Sequence, residues 1–132
     1  QRIVKMLARS DLPIRNSPVG ILGFTFKENV PDIRNSKVVD IYKELLAFGV
    51  RPMVHDPLAD GDTVRRTYGV ELAPLEDFRD LAVLILAVPH QQYSGLGGAE
   101  LSEMIVRSGI FVDVKSKIQP GSVRPDVQYW SL

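Results

Sequence analysis

Val19-Gly-Ile-Leu-Gly-Phe-Thr-Phe26-Lys27-Glu-Asn-Val-Pro31-Asp32-Ile-Arg34-Asn35-Ser36 decides how this chain is built. Residues 19–26 are nearly continuous in apolar side chains, the pattern of a strand covered on both faces. Pro31 breaks the backbone, and Asn35 or Ser36 can cap a following helix by accepting from its first free N–H groups. A lysine, an arginine and a helix start therefore follow a buried strand. The partial positive charge of a helix N-terminus adds to the two cations, and an anion such as phosphate is expected there.

Outward from this stretch the pattern alternates. Residues 36–48 set Val38, Ile41, Tyr42, Leu45 and Phe48 on one helical face, and Gly49 is a natural residue to end the helix. Pro52 to His55 reads as a short strand, 58–69 as a polar helix, Val70 to Leu72 as a third strand, and Glu76 to Arg79 as a helical turn. Leu81 to Val88 is long and apolar enough for a central strand. Ala99 to Arg107 predicts a helix closed by Gly109, and Ile110 to Val114 the last strand. Residues 1–17 read as the end of a helical segment plus a turn-rich linker, and 18–132 as one domain. Strands alternating with helices predict right-handed crossovers and a doubly wound parallel sheet of about five strands, order 3-2-1-4-5, between two helical layers. Ligands of such sheets bind beyond the strand ends where the order reverses. Phe26 and Lys27, Pro89 and His90, and Lys115 all fall on that edge.

Composition narrows the function classes. Sixteen basic residues balance sixteen acidic ones, so no charge excess argues for nucleic acid or a membrane surface. The longest apolar run, Leu81 to Val88, is far below the ~18 residues of a membrane span. No cysteine is present, which removes disulfides, thiolate metal sites and a cysteine nucleophile from this chain. The first residues lack the regions of a signal peptide, giving a cytoplasmic expectation, and a start at Gln1 without methionine suggests a piece of a longer polypeptide.

Single residues carry less. Gly20 and Gly23 do not complete G-x-G-x-x-G, because Leu22 and Thr25 occupy the other positions, and Asp56 lies too far beyond Gly20 for the usual ribose acid. The sheet is expected to be Rossmann-like without a complete NAD site. On chemistry alone Lys27 reads as a solvated lysine. Arg34 can pair with Asp32 or reach an anion. His55 and His90 lack partners at metal-ligand spacing and read as hydrogen-bonding groups, with His90 at the ligand edge; Trp130 is expected to pack the tail onto the domain.

The string FKENVPDIRNSKVVDI, residues 26–41, resembles the Phe-Lys and Asp-x-Arg signature opening the C-terminal domain of the UDP-glucose/GDP-mannose dehydrogenase family. HDPLAD, residues 55–60, is similar to that family's strand-end element, and DVKSKI with the closing YWSL resembles its UDP-N-acetylhexosamine 6-dehydrogenase branch. The resemblance implies a UDP-sugar substrate, with Phe26 and Lys27 contacting it and Lys27 facing phosphate oxygens as a point charge. It implies that Arg34 reaches NAD held mainly by another domain. Lys115 stands where relatives carry a substrate-binding arginine in an Asp-Gly-Arg context; here the string is Asp113-Val-Lys115, which suits phosphate better than ribose, and Asp113 is read as ordering a loop. By the family plan the catalytic cysteine, the NAD-binding N-terminal domain and a central helical dimerisation domain belong to the same polypeptide, which is expected to form a homodimer or larger. The alternative is a free-standing Rossmann-like binding or regulatory module without dehydrogenase activity. A phosphoreceiver reading is disfavoured, because Leu81 to Val88 ends in Pro89-His90 rather than an aspartate.

Overall fold

In the computed structural model, which describes residues 2–10 and 16–132, β1 spans Val19–Leu22 and is buried along its whole length. It stops four residues before Phe26. Gly23 turns the backbone at φ 97° against Val88, where a Cβ would lie 2.6 Å from the valine side chain, and the next N–H groups leave the sheet for a carboxylate. The strand is short because side-chain acceptors replace ladder partners.

Helix α1 is Arg2–Ala8 and α2 is Val38–Ala47. Neither Asn35 nor Ser36 caps α2: the residue before it is Lys37, without a side-chain cap, and the Ser36 hydroxyl instead donates to Phe24 O at 2.6 Å. The expected helix face holds at Val38, Ile41 and Leu45, but Phe48, 46% exposed, lies past the helix end. There Gly49 N–H bonds Leu46 O and Val50 N–H bonds Leu45 O, the paired bonds of a Schellman end, with Gly49 at φ 82°.

Strand β2 is Met53–His55 and α3 is Gly61–Tyr68, started by Asp60 accepting from Thr63 N–H and ended by Gly69 at φ 71°. The third strand expected at 70–72 amounts to one parallel bridge, Leu72 to Val54. A 3-10 turn at Leu75–Asp77 precedes β3, Leu81–Leu86. Beyond it come α4, Gln91–Ser94, and α5, Gly97–Ser102. The helix read through to Arg107 is overturned from Ile105 onward: β4 spans Ile105–Asp113. Ile105 pairs with Leu81, the register then shifts, and Ser108 sits at φ 63° before Ile110 pairs with Val83. The helical spacing of 99–107 thus straddles two elements. The tail supplies β5, Gln128–Ser131, parallel to β4, where Trp130 packs half-buried against the core.

The five-stranded sheet has the order β2-β1-β3-β4-β5, all parallel. This is the predicted winding, with the outer third strand reduced to a bridge and an edge strand added opposite. Alternation in β3 builds the three layers: Val83 and Ile85 join the core under α1, α2 and α3, whereas Leu84 and Leu86 join Tyr93, Leu101, Phe111 and Ile118 on the other face. α1 contributes Ile3, Val4 and Leu7 to the first of these cores. The linker turns expected at 11–15 lie outside the described residues.

Candidate nucleotide-binding cleft at the switch point

The chain leaves β1 for β2 on one side and returns to β3 on the other, so the C-terminal ends of β1 and β3 flank the switch point. A cleft of about 130 Å³ opens there. Its floor is Val38, Ile41, Ala87, Val88 and Val114, and its rim carries Phe26, Lys27, Glu28, Lys37 and Lys115. Four segments converge: the loop after β1, the start of α2, the turn after β3 and the turn after β4. Phe26, Lys27 and Lys115 are brought together as the sequence suggested. Lys37 was missed; its signal was its place directly after Ser36, at the entry to the helix that faces the cleft. A wider depression of about 460 Å³, lined by Asn29, Leu58, Gln91 and Gln92, has no charged side chain among the described residues of its lining. The smaller cleft has the chemistry to hold an anion, because three lysines against one acid, Glu28, leave its rim net positive above an apolar floor.

Arg34 is not in the cleft lining. Its guanidinium forks onto Asp32, Nε to Oδ1 and Nη2 to Oδ2 at 3.0 Å each, with 85% of its side chain exposed. The hydrogen bonds from Arg34 hold the Asp32 carboxyl below its ordinary value, and the Asp32 carboxylate raises Arg34 in turn. An exposed pair of this kind is weak and can open toward another anion.

Beneath the rim lies a polar knot. Asp56, immediately after β2, accepts through Oδ2 from Phe24 N–H at 2.6 Å, Thr25 N–H at 3.0 Å and His90 Nε2 at 2.8 Å, and through Oδ1 from Leu58 and Ala59 N–H. Burial alone would raise this carboxyl, but the hydrogen bonds from His90, Phe24 and Leu58 outweigh it and leave it below the usual range. The Asn29 N–H donates to His90 Nδ1 at 2.9 Å. An amide can only donate, so Nδ1 carries the lone pair and Nε2 the proton. His90 is a fully buried hydrogen-bonding histidine, in line with the sequence reading. The sequence offers Asp56 only as a ribose acid; its part in the loop cannot be read from spacing, because its partners there, Phe24, Thr25 and His90, lie 31 to 34 residues away.

His55 donates through Nδ1 to the Tyr93 hydroxyl at 2.7 Å, because that hydroxyl's own proton goes to His55 O at 2.9 Å. Burial lowers His55, and burial together with the Asp56 charge raises the Tyr93 phenol. At the end of β4, Asp113 Oδ2 accepts from Ile118 N–H at 2.7 Å and orders the loop beyond Lys115.

A family model for the UDP-glucose/GDP-mannose dehydrogenase family, UDP binding domain, matches residues 20–120. Among curated relatives, Protein CapL of Staphylococcus aureus is 31% identical over 130 residues, covering 98% of this chain and 30% of its own length. UDP-N-acetyl-D-glucosamine 6-dehydrogenase of Salmonella typhi is 33% identical over 117 residues, 87% of this chain and 27% of its own. Among solved structures, an NDP-N-acetyl-D-galactosaminuronic acid dehydrogenase from Methanosarcina mazei superposes with a TM-score of 0.82 at 24% identity, over 98% of this chain and 27% of that one, a likeness of fold. The chain thus spans less than a third of the length of each. With the switch-point cleft and the family model agreeing over most of its length, the chain belongs to the UDP-glucose/GDP-mannose dehydrogenase family, matching its UDP binding domain.

Proposed function

We propose that residues 18–132 grip the UDP moiety of a UDP-N-acetylhexosamine within an NAD-dependent nucleotide-sugar 6-dehydrogenase, which oxidises the sugar C6 hydroxyl to a carboxylate for polysaccharide synthesis in the cytoplasm. The observation that carries this reading is the convergence of Phe26, Lys27 and Lys115 on one cleft with an apolar floor. Lys27 and Lys115, joined by Lys37, face the diphosphate as point charges, and Phe26, 48% exposed, offers an apolar face to the ligand. The volume of the cleft is well below the ~300 Å³ of a typical enclosing site, which fits half of a cleft completed by another domain.

The remaining steps belong outside this chain. It has no cysteine to act as nucleophile. Nor do its residues fit a dinucleotide: a Cβ at Gly20 would meet the Phe78 ring at 2.7 Å and Leu81 at 2.8 Å, so that glycine serves packing rather than a pyrophosphate turn. NAD is therefore assigned mainly to a preceding domain, with Arg34 reaching it from this side. Helix α1, Arg2–Ala8, would then be the end of the helical segment that joins the two and helps form a homodimer or larger assembly. Titration calorimetry with UDP and uridine tests the reading: UDP is expected to bind and uridine to bind far more weakly, and equal affinities would remove the diphosphate from the account.

A further inference from the structure

Phe26 and Lys27 project from a loop whose backbone is tied down almost residue by residue. Phe24 and Thr25 donate their N–H groups to Asp56, Phe26 N–H goes to Asp32 O at 2.7 Å, the Thr25 hydroxyl donates to Lys27 O at 3.0 Å, and Asn29 N–H goes to His90. Asn29 also sits at φ 64°, a conformation that needs support from its surroundings. The Asn29 side chain returns the tie by accepting from Gln91 N–H at 2.8 Å. Three of the ties, from the Phe24, Thr25 and Asn29 N–H groups, end on two side chains without exposure, Asp56 and His90.

We infer that the Asp56–His90 pair is a positioning device for the ligand loop: Asp56 holds the His90 proton on Nε2, which keeps Nδ1 open to accept the Asn29 N–H and fixes the loop that presents Phe26 and Lys27. The proposal rests on the reading of Lys27 as a ligand contact and goes beyond it, because neither Asp56 nor His90 touches the cleft. A histidine free to take either tautomer would leave Asn29 facing a second N–H for part of the time. With its proton held by a buried carboxylate, the imidazole accepts from the loop continuously. Thr25 reinforces the choice: its hydroxyl proton is committed to Lys27 O, so toward Nε2, 3.2 Å away, it can only accept. Pre-ordering the loop lowers the entropic cost of binding and raises the fraction of molecules competent to bind.

Two substitutions separate this role from mere packing. His90→Gln can place an amide N–H toward Asp56 but removes the acceptor for Asn29; His90→Asn can place a carbonyl oxygen near Nδ1 and keep that acceptor. Both lose the ring contact with Tyr93, at 5.7 Å between centroids, and their melting temperatures are expected to fall together. In 15N-labelled chain the parent should show a protonated Nε2, a bare Nδ1 and a slowly exchanging Asn29 amide. His90→Gln should speed Asn29 exchange and weaken UDP binding, each roughly tenfold if the competent loop falls to about a tenth of the population. His90→Asn should leave both near parental values. A protected Asn29 amide in His90→Gln, or equal losses of affinity in both variants in step with melting temperature, would overturn the proposal. Lys27→Ala, run alongside, tests the underlying reading separately: unchanged UDP binding there would refute the ligand assignment, while Asn29 exchange without ligand still decides the clamp.

Discussion

The Tyr129 hydroxyl donates to Asp113 Oδ2 across 2.7 Å, binding the edge strand β5 to the carboxylate that ends β4. The same proton is shared with Ile118 O at 3.0 Å, and Asp113 Oδ1 has no hydrogen-bond partner among the described residues. Burial, with Asp113 beside it, pushes the phenol well above its ordinary value. Tyr129→Phe would leave a fully buried carboxylate with a single remaining donor, so unfolding in urea should show a loss of about 1.5–3 kcal/mol, the range for a hydrogen bond to a charged group. A neutral substitution would mean that β5 is held by its ladder and Trp130 alone.

Asp56 should contribute to the acid limb of stability. Its folded pKa lies below the unfolded value of about 3.9, so the unfolded chain takes up the proton first. The contribution is fully present above that pH and is lost as pH falls through the lower folded value. Asp56→Asn turns an N–H toward backbone donors, and roughly 3 kcal/mol or more should be lost at neutral pH. Urea melts of parent and variant across pH should converge as the pH falls below about 4. A gap that stays constant into acid would show that the carboxylate charge is not what matters.

Arg34 separates cofactor from substrate. Among the described residues its side chain pairs with the exposed Asp32 alone, so Arg34→Ala should leave both the melting temperature and UDP affinity of this chain unchanged. If the proposed cofactor role holds, the same substitution in the full-length polypeptide should raise the apparent NAD constant. Loss of UDP binding in the chain would move Arg34 into the substrate cleft instead.

The winding and the cleft were legible because local patterns carried them. Residues 19–22 and 81–86 are apolar on both faces, the pattern of a central parallel strand, and the Phe26-Lys27 pair follows the first of them. What stayed hidden depends on distant partners. β5 has a half-exposed pattern with no periodic signal and exists by pairing Phe111 with Tyr129 and Val112 with Trp130. Ile105 and Val106 continue the helical spacing of α5, yet pairing with Leu81 draws them into β4. Ser36 is a good capping residue by type, but the turn at Gly23 brings Phe24 O within its reach and takes its hydroxyl. The Asp56–His90 knot joins three strand ends that no local window contains.

The most direct test of the central claim is the affinity of this chain for UDP, measured by calorimetry at increasing ionic strength for the parent and for Lys27→Ala. If lysines on the cleft rim hold the diphosphate, binding weakens steadily with salt, and Lys27→Ala loses roughly ten- to a hundredfold in affinity at low salt with an unchanged melting temperature. UDP binding that ignores both salt and the loss of Lys27 would contradict the account.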